Sequence, residues 1–400
     1  MEHGRGDLSW RMFDLCRPNH ILFDVDKTTL SKTRRPEQVC SLIFPHSYAN
    51  LRSSDGDTLR DVCMSERYSI GVDLGGTNLR IAAYSCGLGF LETIVLPTRL
   101  SAGRDQVVRD LCEATASLMG RDYGGRNLAG IAVGTPGPLE LPAGVLRNPP
   151  NLQGWDGFNL KAAITSTLGR EILLENDANL AAFAEQRLGA GSRYGVADLC
   201  VLTLGTGVGN GLVLNGEIWD GANGMAGEAG HMIVCTNETS QCGCGGYGCL
   251  EQYASATGVV SMARKHSKNA GISTASEIAH LARLGHGLSR GVFDAVGRAL
   301  AVALTGLINT LNLPLYLLGG GVCDSWSLFS PAMFRELERR SYLYRLTKPE
   351  VLEPTHLETG KTYILRAELG SSAGLLGACV KGLEVVAPFG APGKGLLGSQ

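Results

Sequence analysis

Short apolar runs that end in glycine are the recurrent unit of this chain. Ser69-Ile-Gly-Val-Asp73 enters the turn Leu74-Gly-Gly-Thr-Asn78, and Arg80-Ile-Ala-Ala-Tyr84 follows, which predicts a β-hairpin. Apolar residues at helical spacing, Val107, Val108, Leu111, Ala114 and Leu118, predict a helix over 105–119. Residues 128–133 read as a buried strand ending in Gly134-Thr-Pro-Gly-Pro138, and residues 172–175 as a strand leading to Asn176-Asp177. A helix over 178–188 comes next, with Asn176 or Asp177 placed to cap it. Residues 199–204, the turn 205–209 and residues 210–214 then repeat the strand, glycine turn, strand order of 69–84. Two copies of one unit predict two related lobes with a cleft between them. Beyond them lie a long apolar helix over 292–313, a strand over 315–318 ending in Gly319-Gly-Gly321, and a final helix over 371–381.

Residues 1–66 have a different texture, rich in Arg, Asp, Ser and Pro with only short apolar islands. The island Ile21-Leu-Phe-Asp-Val-Asp-Lys-Thr-Thr-Leu30 resembles the first motif of haloacid-dehalogenase-type enzymes, where Asp24 would be the nucleophile and Asp26 the acid. No later segment supplies that family's other motifs. The reading is a disordered or non-native N-terminal extension, with Met64 as a natural start; residues 387–400 read as a disordered tail.

A chain of 400 residues suits two lobes, and 44% apolar residues suffice for their cores. The net charge of −2 gives no global reason to expect nucleic acid or an acidic membrane as partner. No stretch reaches the ~20 uninterrupted apolar residues of a membrane helix. The N-terminus lacks the apolar centre of a signal peptide, so the expected compartment is the cytoplasm. Glycine, at 54 residues, is about twice its usual share and clusters in loops between apolar runs, which favours backbone that approaches a ligand closely. Of the 12 cysteines, most are scattered and read as small buried apolar residues, while three are grouped.

Three constellations carry chemistry. The paired glycine turns suit phosphate oxygens, which are best cradled by several backbone N–H groups; Thr77 and Thr206 add hydroxyls, and Asp73 is placed to hold Mg²⁺ through water. Neither turn is a GxxxxGK[ST] loop or a dinucleotide fingerprint. In Glu175-Asn-Asp-Ala-Asn179, Asp177 stands where it either caps a helix or aims a carboxylate into the cleft as a base for an alcohol. Finally, His231, Cys242, Cys244 and Cys249 form a Cys₃His set of the kind that closes around structural Zn²⁺, flanked by Glu228 and Glu251.

In order, Asp73-Leu-Gly-Gly-Thr77, Gly134-Thr-Pro-Gly-Pro138, Glu175-Asn-Asp177, Leu204-Gly-Thr-Gly207, Gly227-Glu-Ala-Gly-His231 and Cys242-Gly-Cys-Gly-Gly-Tyr-Gly-Cys-Leu-Glu251 resemble the successive motifs of ROK sugar kinases. The resemblance covers residues 67–383. It implies an α/β protein of the actin-like (ribonuclease H-like) ATPase fold, with two lobes and a central cleft. The lobes would be 67–190, with the C-terminal helix over 371–386 packing back onto it, and 191–370, which holds the zinc. It further implies that Asp177 is the base, that Gly137, Asn176, Asp177, Glu228, His231 and Glu251 bind the sugar, and that Asp73, Gly75, Gly76, Thr77, Asn78, Gly205, Thr206, Gly207, Gly319, Gly320 and Gly321 hold ATP. The expected reaction is phosphorylation of a hexose by ATP with Mg²⁺, glucose first and N-acetylmannosamine or N-acetylglucosamine second. A homodimer is expected, with no nucleic acid and no membrane as partner. The family also contains sugar-responsive repressors, but residues 1–66 show no winged helix-turn-helix pattern.

Overall fold

The computed structural model describes residues 67–266 and 273–384. The expectations for Asp24, Asp26, Met64 and the rest of 1–66, and for 387–400, lie outside the described residues. The elements in chain order are β1 (Arg67–Leu74), β2 (Asn78–Ser85), β3 (Gly89–Pro97), α1 (Arg104–Met119), β4 (Asn127–Thr135), β5 (Leu139–Glu140), β6 (Val145–Leu146), α2 (Leu160–Leu168), β7 (Leu173–Asn176), α3 (Asp177–Arg187) and α4 (Ala190–Tyr194). There follow β8 (Leu199–Leu204), β9 (Val208–Leu214), β10 (Glu217–Ile218), α5 (Glu251–Ala254), α6 (Ala256–His266), α7 (Ala275–Arg283) and α8 (Gly287–Leu311). Then come β11 (Leu315–Gly319), α9 (Trp326–Arg340), α10 (Tyr342–Thr347), β12 (Tyr363–Arg366) and α11 (Ala373–Glu384).

Two five-stranded sheets share one topology, β3-β2-β1-β4-β7 and β10-β9-β8-β11-β12. In each, a hairpin across a glycine turn is extended by two parallel strands. The repeat read from the sequence is therefore a repeat of whole sheets. The turns differ by one residue: Leu74 pairs with Leu79, and Leu204 with Val208.

The first sheet packs on α1 and α2 through Val72, Leu111, Val133 and Ile164. The second packs on α8 and α9 through Leu202, Leu300, Leu318 and Phe329. Helix α8 is long and apolar enough to cross a membrane, but Val292, Phe293, Val296, Leu300, Leu304 and Ile308 line the core of the second lobe. Its Asp294 and Arg298 keep it below an uninterrupted apolar span.

Helix α11 leaves the second sheet and lies on α3, β1 and β4, with Leu375, Leu376, Cys379 and Val380 buried against Phe183 and Tyr84. Helix α3 also packs on β8 and β9, so it touches strands of both sheets. Three helices differ in extent from the sequence reading: α3 starts one residue earlier, at Asp177; α8 runs from Gly287 to Leu311 and not over 292–313; and α11 runs from Ala373 to Glu384 after a single 3-10 turn.

Candidate active site

Parallel pairing brings distant motifs to one edge. Asp73 of β1 stands opposite Gly134 of β4, Gly134 opposite Glu175 of β7, and Thr135 opposite Asn176. The segments 74–78, 134–138 and 176–177 therefore leave the sheet side by side at the carboxyl ends of its parallel strands, where α/β sheets bind ligands.

Asn176 and Asp177 divide their duties. The Asn176 side chain caps α3, its Oδ1 accepting from Ala178 N at 2.9 Å and Asn179 N at 3.2 Å. Asp177 is the first helical residue, with Oδ1 at 2.8 Å from Ala178 N. Capping therefore does not account for Asp177. Burial, and then the charge of Asp73, push its carboxyl up to about 6. Asp73 is buried, which raises its carboxyl, and Arg80 opposes that rise from 3.1 Å. Arg80 stands directly across the hairpin from Asp73 and also donates to Ser371 O at 2.7 Å. Arg80 lies in none of the sequence motifs, and the hairpin register is what sets it opposite Asp73.

Gly137, Asn176 and Glu228 converge. A β-carbon on Gly137 would lie 2.9 Å from Asn176 Nδ2 and 3.5 Å from Glu228 Oε1. With Asn176 Oδ1 spent on the cap, Nδ2 is the group left to face a ligand. Glu228 is pushed up to about 7, first by loss of hydration and then by the Asp177 and Glu251 charges. Its Oε2 lies 3.9 Å from His231 Nε2. Glu175, behind Asn176, is buried and raised by that burial and by Asp220; it accepts from Asn176 N at 2.7 Å and Asn179 Nδ2 at 3.0 Å.

The other nitrogen of the His231 ring is turned to the cysteines. His231 Nδ1 lies 3.8 Å from Cys242 Sγ, Cys244 Sγ lies 3.7 Å from Cys249 Sγ, and the four donors are all within 4.8 Å of one another. Tetrahedral Zn²⁺ with Zn–S bonds near 2.3 Å requires S–S edges of about 3.8 Å, so the donor set fits. Burial, with the neighbouring thiol of Cys244, pushes the Cys249 thiol up to about 12. Thiolates here therefore require a cation beside them. The loop carrying the cysteines is pinned by Glu238, which accepts from Tyr253 Oη at 2.9 Å and Ser240 N at 3.0 Å, and by Gln252, which accepts from Cys249 N at 3.1 Å.

The remaining predicted residues gather at the two glycine turns. Gly75 N donates to Asn78 O at 2.9 Å, while Thr98 fixes the turn by donating from Oγ1 to Gly75 O at 2.7 Å and from N to Thr77 O at 2.8 Å. Gly76, Thr77 and Asn78 are exposed at its tip. The second turn closes with Gly205 N donating to Gly207 O at 2.9 Å, leaving Thr206 exposed. Gly319 of β11 pairs with Thr203, so the triple glycine emerges beside this turn. Gly320 lies across Leu204 with φ +84°, and a β-carbon there would come 2.5 Å from Leu204 O; only glycine permits that approach. Glu251 has an engagement the sequence did not show: its Oε2 accepts from Val208 N at 2.9 Å, and its Oε1 lies 3.9 Å from Cys242 Sγ.

The model of the ROK family matches residues 69–381. A glucokinase from Halalkalibacterium halodurans is 32% identical over 327 residues, 78% of this chain and 94% of that protein. The crystal structure of a ROK family glucokinase from Streptomyces griseus in complex with glucose and AMPPNP aligns with a TM-score of 0.61 at 27% identity, covering 78% of this chain and 98% of that one. A xylose repressor from Caldicellulosiruptor bescii is 24% identical over 340 residues, 80% of this chain and 83% of that protein. With its duplicated sheets, paired glycine turns and Cys₃His set in this order, the chain has the actin-like ATPase fold and belongs to the ROK family.

Proposed function

We propose that this protein is an ATP-dependent hexokinase-type phosphotransferase that converts glucose to glucose 6-phosphate. The observation that carries the reading is Asp177: a carboxylate relieved of capping by Asn176, lying between the Asp73 turn and the Gly137, Asn176, Glu228 and His231 cluster, and tuned by burial to about 6. A base of that kind is what transfer of a phosphoryl group to an alcohol requires.

The sugar would lie against Gly137, Asn176 Nδ2, Glu228, His231 Nε2 and Glu251, with one hydroxyl at Asp177. That hydroxyl oxygen attacks the γ-phosphorus, the bond from γ-phosphorus to the β–γ bridging oxygen breaks, and ADP leaves. Asp177 takes the hydroxyl proton. Gly75 N–H and Gly205 N–H close their own turns, so the N–H groups of Gly76, Thr77, Thr206 and Gly207, with the Thr77 and Thr206 hydroxyls, would carry the phosphoryl charge, while 319–321 would border the adenosine. Asp73 would hold Mg²⁺ through water, and bound Mg²⁺ supplies charge neutralisation on the phosphates. His231 Nδ1, Cys242, Cys244 and Cys249 would hold Zn²⁺; four protein ligands leave it a structural part. Closure of lobe 67–190, with the helix of 371–386, onto lobe 191–370 would exclude water from the transfer. The working unit would be a cytoplasmic homodimer without nucleic-acid or membrane partners.

The test is ADP release with ATP and Mg²⁺ on glucose, mannose, fructose, N-acetylglucosamine and N-acetylmannosamine. Preference for glucose is expected. Preference for either acetamido sugar would move the substrate and leave the reaction. The repressor relative makes a sugar-responsive regulator the second reading, favoured only if no sugar turns over and DNA binding at physiological salt responds to sugar.

A further inference from the structure

The turn Gly205-Thr-Gly207 is gripped from outside by one short segment that no sequence motif linked to it. Ala256 N donates to Gly205 O at 2.8 Å, Thr257 Oγ1 donates to Thr206 O at 2.8 Å, and Glu251 Oε2 accepts from Val208 N at 2.9 Å. Each bond seizes a successive peptide of the turn. The segment is itself rigid: Ser255 Oγ donates to Glu251 O at 2.7 Å and accepts from Gly258 N at 2.9 Å, which locks α5 to α6. It starts two residues after Cys249, so the bracket is anchored in the metal set.

The direction of these bonds matters more than their number. In a trans peptide the C=O of one residue and the N–H of the next point opposite ways. Holding Gly205 O against Ala256 turns Thr206 N–H away from α6, and holding Thr206 O against Thr257 turns Gly207 N–H away from α6 as well. Two successive N–H groups on one side of a turn form a concavity for an anion. Ala256 contributes only backbone, so Thr257 is the side chain on which the second N–H depends.

We propose that Thr257 is a positioning residue for nucleotide binding: its hydroxyl, assisted by Glu251, aims the Gly207 N–H at a phosphate group beyond the α-phosphate. This rests on the kinase reading above. Thr257 is exposed and belongs to neither the base nor the sugar cluster.

The test is isothermal titration calorimetry of the full chain with MgADP, AMP and glucose for wild type, Thr257→Val and Thr257→Ser, with thermal melting alongside. Val keeps the shape and removes the donor; Ser restores it. Thr257→Val is expected to weaken MgADP about tenfold while AMP and glucose keep their wild-type affinities and the melting temperature holds, and Thr257→Ser to recover MgADP binding. A Thr257→Val protein whose ratio of ADP to AMP affinity equals that of wild type overturns the positioning role. Parallel loss of ADP, AMP and glucose binding with a lowered melting temperature overturns it too, because the bond would then be merely structural. Wild-type protein that binds neither nucleotide removes the kinase reading itself.

Discussion

Replacing Asp177 by Asn separates the chemical role of that carboxylate from its cost to the fold. Its carboxyl is held at about 6 against an ordinary 3.8, so the folded state resists its ionisation. A gap of about 2 units at ~1.36 kcal/mol each is about 3 kcal/mol, an upper bound because the side chain keeps some contact with water. Below 3.8 the group is protonated in folded and unfolded chains alike and the stability is fully present. As pH rises towards 6, the unfolded chain ionises first and stability falls; above 6 the loss is complete. Asp177→Asn, which cannot ionise, should gain about half of the ~3 kcal/mol at pH 5 and all of it at pH 8. At roughly 2 °C per kcal/mol for a chain of this size, the melting temperature should rise by about 6 °C at pH 8. The same substitution removes the proposed base, so kcat should fall about 10²–10⁴-fold with sugar binding retained. Wild-type kcat should fall as pH drops through about 6, because the base must be ionised. The assays are coupled ADP release and scanning calorimetry across pH. An Asp177→Asn protein that keeps more than a tenth of wild-type kcat refutes the base assignment; an equal stability gain at pH 5 and pH 8 refutes the burial argument.

Gly137→Ala puts a methyl 2.9 Å from Asn176 Nδ2 at the proposed sugar cluster, so the KM for sugar should rise at least about tenfold while that for ATP stays put; equal changes in both would contradict the placement of Gly137. Cys244→Ser should lose the bound zinc equivalent, measured by metal analysis, and melt at a markedly lower temperature; a variant that retains one zinc would break the ligand set. Glu185 is fully buried and accepts from Ala190 N at 3.1 Å, Glu368 N at 2.8 Å and Leu369 N at 2.7 Å, tying the chain that leaves α3 to the chain that returns towards α11. Glu185→Ala strands three N–H groups and should cost about 3 kcal/mol or more in urea unfolding, and a loss under about 1 kcal/mol would mean that water replaces the carboxylate.

Features whose signal is local are legible in the order of residues alone. Alternation of apolar runs with glycine marked both hairpins, and the cysteine and histidine spacing marked four donors that the fold brings within 4.8 Å of one another. That order did not reveal β3, whose residues are mostly half-buried, nor α2, α7 and α9. Which of Asn176 and Asp177 caps α3 depends on the path from β7 and so emerges from the packed fold. Only it brought Glu251 to Val208, Thr257 to Thr206 and Gly320 onto Leu204. The division has a physical cause. Secondary-structure period and ligand spacing act over a few residues and are written in the order of side chains. The aim of a carboxylate or an N–H depends on which strands lie side by side, and that is fixed only when the two sheets and their helices pack.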